Sequence, residues 1–85
     1  MQDVLNEATK RIGELVKSNR KKKRWTQSDL ADGICSQAMI SSIESGRDMP
    51  NVFLFYKLCE KLDVTLTSSF LKEILNFETS SNFSE

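Results

Sequence analysis

Histidine is missing from this 85-residue chain, and cysteine occurs only twice, at Cys35 and Cys59. Two thiols and no imidazole argue against a zinc site, and no metal or cofactor is expected. The missing histidine also removes the commonest general base. No nucleophile–base pairing and no phosphate-cradling glycine loop takes its place, so the chain is not expected to be an enzyme and no residue is given a catalytic role. Asp29, Asp32 and Glu44 resemble a carboxylate cluster, but helix-surface and salt-bridge positions explain them better. No apolar run is long enough to cross a bilayer. The first fifteen residues, MQDVLNEATKRIGEL, lack the apolar core of a signal peptide, so a cytoplasmic location and no membrane partner are expected. In that compartment the two cysteines read as buried free thiols rather than a disulfide. There is no strand signal, no internal repeat and no net charge. Zero charge argues against a non-specific polyanion binder.

The distribution of charge says more than its total. From Lys10 to Arg47 nine Lys/Arg stand against four acids, a net of +5; from Asp48 to Glu85 three stand against six, a net of −3. A cationic half of this kind is what a face turned toward phosphates requires.

Helical periodicity runs from Val4 to about Lys22, with Val4, Leu5, Ala8, Ile12, Leu15 and Val16 on one side. Gly13 costs such a helix about 1 kcal/mol relative to Ala, which marks it as a point where another element comes close. The helix ends in Arg20-Lys21-Lys22-Lys23-Arg24, where cations suit the macrodipole. Trp25 follows, as a staple between the first two helices or, alternatively, a base-stacking ring. Thr26 is an N-cap for a short helix carrying Leu30 and Ala31 inward; Gly33 makes a turn with Ile34 and Cys35 as apolar plugs. Ser36 caps a second helix, in which Met39, Ile40 and Ile43 fall near one side, and Gly46 closes it. Two short helices around a glycine turn, spanning about 26–45, are what a helix-turn-helix needs.

Pro50 and Asn51 start a further helix over Val52 to Leu62, with Leu54, Leu58 and Leu62 in a stripe, Phe55 and Cys59 beside it, and Phe53 and Tyr56 at the margin or opposite face. Thr65 or Thr67 caps a last helix through about Phe77. The expected architecture is all-α, a compact five-helix bundle over 1–77, with 78–85 a flexible tail or the start of a linker.

The chain resembles the lambda-repressor/Cro-like, or XRE-type, helix-turn-helix family. The resemblance rests on Ile12-Gly13, Val16, Arg20, Thr26-Gln27, Leu30-Ala31, Ser36, Ile40-Ser41, Ile43-Glu44, Gly46, Pro50, Leu58 and Leu62-Asp63-Val64, and covers about residues 11 to 71. It departs from the family at Asn19 and Ser69, where apolar residues are usual. Its turn, Asp32 to Ser36, is one residue shorter than the common form. That shortening is similar to the N-terminal domains of Rgg/PlcR-type peptide-responsive regulators of Gram-positive bacteria. The chain is then a fragment of a longer regulator or a complete small one, with a peptide ligand only if a parent carries the C-terminal repeat domain.

The resemblance implies a sequence-specific regulator of transcription that binds a double-stranded operator, as a homodimer, with the helix at about 36–45 in the major groove. Gln37, Ala38, Ser41 and Ser42 would meet bases; a glutamine there can bond adenine N6 and N7. Lys21, Lys22, Lys23, Arg24, Thr26, Gln27, Ser36 and Arg47 would meet the backbone, with Gln27 also buttressing Gln37. Arg20 and Glu44 would form a partly buried structural salt bridge. The competing function is a protein-interaction module of the same fold, an antitoxin or anti-regulator, for which Phe53, Phe55, Tyr56, Phe77 and Phe83 would supply contact surface.

Overall fold

A computed structural model describes residues 2–65 and 67, with side chains from Asn6 onward. Four helices lie among the described residues: α1 (Gln2–Lys22), α2 (Gln27–Ala31), α3 (Gln37–Glu44) and α4 (Val52–Leu62). No strand occurs among them. These four helices are the first of the five expected; the fifth, residue Ser69 and the tail 78–85 lie outside the described residues.

The core takes two residues from each helix. Ile12 and Val16 of α1 meet Leu30 and Ala31 of α2, Ile40 and Ile43 of α3, and Leu58 and Leu62 of α4. Leu15, Trp25, Ile34, Cys35, Leu54, Phe55 and Val64 pack half-buried around this cluster. Neither α2 nor α3 is long enough to hold its shape alone; burial of these apolar faces holds them in place. Asn19, at an ordinarily apolar position, is half-buried because its amide donates to the Leu15 carbonyl at 2.9 Å. Phe53 and Tyr56 face outward, 67% and 52% exposed, leaving Phe55 as the α4 aromatic that touches the core.

Each short helix starts on a side-chain cap. The Thr26 hydroxyl accepts from Asp29 N–H at 3.0 Å while the Asp29 carboxylate accepts from Thr26 N–H at 2.8 Å. This reciprocal box holds the Asp29 carboxyl below its ordinary pKa, first through the Thr26 backbone N–H and then through its hydroxyl. Ser36 caps α3 by accepting from Met39 N–H at 3.1 Å, and Asn51 caps α4 by accepting from Leu54 N–H at 2.8 Å.

Three helix ends share one geometry, in which a left-handed residue lets two N–H groups turn back onto the last carbonyls. At the end of α1, Arg24 has φ 60°, Arg24 N–H donates to Lys21 O and Trp25 N–H donates to Arg20 O. Gly46 (φ 80°) ends α3 and Asp63 (φ 61°) ends α4 in the same way, with bonds to Ile43 and Ser42 and to Glu60 and Cys59. The α2 end is closed differently: the Lys61 ammonium, reaching from α4, donates to the carbonyls of Asp29 and Asp32 at 2.8 Å and of Leu30 at 3.3 Å.

Gly13 is where α1 crosses α3. A Cβ there would run into the Ile43 carbonyl oxygen and lie 3.1 Å from that of Glu44. Both obstacles are backbone, so neither can swing aside. In an open helix Gly→Ala gains up to about 1 kcal/mol; here overpacking of about 1–3 kcal/mol opposes it and wins. Gly13→Ala is therefore expected to lower the melting temperature by several degrees; an increase on thermal unfolding would show that the crossing relaxes freely.

Burial pushes the Cys59 thiol up to about 11 from 9.0. A raised acid pKa stabilises the folded state below the unfolded value and ceases to as pH climbs through the folded one. Denaturant titrations should thus show stability falling between pH 9 and 11, with a shallower fall in Cys59→Ala. An identical slope in the two proteins would assign the alkaline loss to other groups.

Candidate nucleic-acid interface

The outward side of α3 is a polar stripe. Gln37 and Ala38 are exposed, Ser41 and Ser42 are half-buried one turn on, and Ser45 follows. The opposite side carries Ile40 and Ile43, both with no exposed surface. The period of the helix thus separates a face committed to the core from a polar one that is exposed or half-buried. Its residues are small apart from Gln37 and Met39, which leaves the helix backbone accessible to a broad groove.

Behind the stripe lies a buried ion pair. Arg20 Nε donates to Glu44 Oε2 at 2.7 Å and Arg20 Nη2 donates to Glu44 Oε1 at 3.0 Å; the two side chains are 10% and 3% exposed. The second guanidinium arm, Nη1, donates to the Trp25 carbonyl at 2.5 Å. One side chain of α1 therefore ties together the end of α3 and the entry to α2. The bonds to Glu44 hold the guanidinium above its ordinary pKa, with burial opposing them.

Two amides extend the pair outward. Gln27 Nε2 donates to Glu44 Oε1 at 3.1 Å, and Gln37 Nε2 donates to Gln27 Oε1 at 2.5 Å. Gln37, the first residue of α3, is thereby linked through Gln27 to the buried carboxylate.

The basic run at the end of α1 divides. Lys21, Lys22 and Arg24 are exposed, whereas Lys23 is half-buried. Its ammonium pairs with Asp63 at 2.8 Å and lies 5.3 Å from the centre of the Trp25 ring. Lys61 approaches the same ring at 5.6 Å, so Trp25 is held between cations against the core. Arg47, after α3, is exposed, and its guanidinium donates to the Ser45 hydroxyl at 3.3 Å. The Thr26 and Ser36 hydroxyl oxygens are occupied as caps, which leaves each O–H proton able to donate elsewhere. The carboxylates that resembled a cluster are dispersed: Asp29 in its cap, Glu44 in the ion pair, and Asp32 offering its carbonyl to Lys61.

Nothing in the sequence gives Lys61 a role, and Asp63 enters only through the family motif, without its pairing. Each acts on a residue about thirty to forty positions away, and no local spacing encodes a contact of that range. The opposite charges in the two halves of the chain were the available hint, without any pairing.

An exposed polar helix braced by a buried ion pair, after a capped short helix and a tight turn, defines a helix-turn-helix of the DNA-binding kind. A helix-turn-helix family model matches residues 16–68, more than half of the chain. The chain belongs to this family, the XRE-type helix-turn-helix regulators that bind DNA. No curated protein matches it, and no solved structure does. No described helix is long and apolar enough to cross a membrane.

Removing Arg20 would leave the Glu44 carboxylate buried without its counter-charge. Arg20→Ala is expected to cost about 3–5 kcal/mol, a large part of a small domain's stability of about 5–15 kcal/mol. Arg20→Lys keeps the charge but loses the two-pronged bond, and should fall between. Urea unfolding of the three proteins tests this; equal midpoints would make Arg20 a surface residue in energetic terms.

Proposed function

We propose that the chain is a sequence-specific double-stranded DNA-binding transcriptional regulator that lays α3 in the major groove. The observation that carries this is the outward stripe Gln37, Ala38, Ser41 and Ser42, small apart from Gln37 and exposed or half-buried, on a helix whose opposite side carries the fully buried Ile40 and Ile43. Gln37 reads a base by paired hydrogen bonds, Ala38 lets the backbone approach and touches a thymine methyl, and Ser41 and Ser42 meet base edges or phosphate. Lys21, Lys22, Arg24 and Arg47 supply phosphate contacts from exposed positions, and Thr26, Ser36 and Gln27 supply neutral ones. Lys23 joins them only by exchanging Asp63 for a phosphate.

The regulator acts as a homodimer on a palindromic or repeated operator, its two α3 helices about 34 Å apart. The apolar residues Leu71, Leu75 and Phe77, candidates for a dimer contact, lie outside the described residues; among the described ones Val52, Phe53 and Tyr56 expose apolar surface on α4. The protein is non-enzymatic, bacterial and cytoplasmic. The short turn at Gly33 supports a place among the Rgg/PlcR-type regulators, with a peptide effector only in a parent that carries the repeat domain.

The exposed Phe53 and Tyr56 also support the second reading, a module that binds a protein rather than DNA. Selection from a random-duplex pool decides between them. Enrichment of a defined site at moderate salt supports DNA reading; no enrichment, together with a stoichiometric protein partner on copurification, supports the other.

Arg24 gives a sharper test because stability and binding should move in opposite directions. Its left-handed backbone costs an ordinary side chain about 1–2 kcal/mol that glycine avoids. Arg24→Gly should raise the melting temperature by several degrees and reduce the slope of log affinity against log salt by about 1. An unchanged slope would remove Arg24 from the phosphate contacts.

A further inference from the structure

The first turn of α3 is Gln37, Ala38 and Met39, and Met39 N–H donates to the Ser36 hydroxyl at 3.1 Å. The N-terminal residues of a recognition helix are the ones that reach base edges. Around the helix Ala38 stands between the other two, so Gln37 and Met39 flank the outward stripe on opposite sides. By its spacing Met39 belongs with Ile40 and Ile43 in the core. Those two are fully buried, whereas Met39 is 38% exposed. A single exposed apolar side chain is ordinary on a protein surface. What sets Met39 apart is its place, beside the stripe and in the turn that would enter the groove first.

We propose that Met39 is a specificity-determining residue that reads the C5-methyl group of a thymine on the side of the stripe away from Gln37. The proposal rests on α3 lying in the major groove, as argued above. In that groove thymine is the base that presents a methyl group; the other three present only hydrogen-bond donors and acceptors. A thioether cannot donate and accepts weakly, so those edges offer it little. Contact with a methyl group instead takes apolar surface of both partners out of water. Methionine is unbranched, with three rotatable bonds and a polarizable sulfur, so its end can follow a base whose position varies with local DNA shape. Ala38 ends at Cβ and touches a methyl group only where the helix backbone comes down on it. Met39 reaches further and to one side, so the two meet different bases. Its neighbour on that side three residues on is Ser42, too small to block the approach.

The test uses the full chain and the operator selected from a random-duplex pool. Each thymine of a half-site is replaced singly by uracil, which removes the methyl group and leaves every hydrogen-bonding atom in place. At one thymine this should weaken wild-type binding about fourfold, the value of one methyl group taken out of water. In Met39→Ala the same replacement should leave affinity nearly unchanged, while the effects at other thymines, including any under Ala38, remain. Met39→Leu, apolar and of similar volume, should keep the sensitivity. Met39→Gln, similar in length but polar at its end, should lose it. A melting curve for each variant confirms that it is folded.

5-Methylcytosine gives a second arm that needs no variant. Cytosine in place of that thymine should weaken wild-type binding, and methylating the cytosine at C5 should recover several-fold, because the methyl group returns to the same place in the groove. A site with no uracil-sensitive thymine overturns the proposal. So does a set of sensitivities that all persist in folded Met39→Ala, or a 5-methylcytosine bound no better than cytosine. If wild type enriches no sequence, DNA reading itself falls and the role of Met39 falls with it; an enriched site whose thymine methyl groups are all independent of Met39 fails this residue alone.

Discussion

A guanidinium and a carboxylate that leave water each forfeit several kcal/mol of hydration, and attraction between them restores it only when geometry is good and the remaining donors and acceptors are filled. Arg20 and Glu44 meet both conditions. Two bonds join them, a third arm of Arg20 is taken by the Trp25 carbonyl, and the free lone pair of Glu44 is taken by Gln27. An apolar pair of similar volume could fill the space at no loss of stability. What it could not do is fix a direction. The ion pair joins α1, the α2 entry and the α3 end through bonds with defined angles, so α3 has one orientation on the body of the domain.

That orientation needs close contact as well as bonds. At Gly13 the α1 backbone lies against the carbonyls of Ile43 and Glu44, and Glu44 is also the ion-pair partner. The missing side chain therefore sets the distance between the helices at the place where Arg20, two turns further along α1, reaches across. The charges that remain are divided by burial. Arg20, Lys23 and Lys61 are spent on internal partners, a carboxylate, an aspartate and a row of carbonyls. Lys21, Lys22, Arg24 and Arg47 stay in water. A chain of zero net charge thereby keeps a cationic margin near its polar helix, and it is local charge, within about a Debye length of 8–10 Å, that a phosphate would feel.

Where the sequence spoke through local rules, it was legible. Thr26, Ser36 and Asn51 announce helix starts because an N-cap is a property of one side chain and the next three residues. The buried Ile12 and Val16 of α1 and Ile40 and Ile43 of α3 follow from the helical period, although Met39, grouped with the latter two, stands exposed; Gly13 stood out because an interior glycine needs a reason. The pairing of Arg20 with Glu44 across 24 residues was available only through family resemblance. The period of α4 puts Phe53 and Tyr56 at its margin or opposite face, where they stand exposed. Lys61 over the end of α2 and Lys23 on Asp63 were not available at all. Each depends on how α4 lies across the first two helices, a tertiary fact to which no short window of residues is sensitive. The left-handed turn at Arg24 was hidden for another reason: glycine usually takes that position, and the chain accepts a strained arginine where a cation near the polar face has its own use.

The composition of α3 leaves Gln37 as the one long polar side chain on a stripe otherwise made of alanine and serines. A lone surface glutamine can turn its amide end over end. Held from behind, it would set oxygen against oxygen by doing so: the carboxylate of Glu44 can only accept, each amide in front of it inherits a direction, and the direction reaches the surface two side chains later. A helix of small polar residues thus owes its one ordered polar arm to the layer beneath it, and the buried pair is what holds that layer in place.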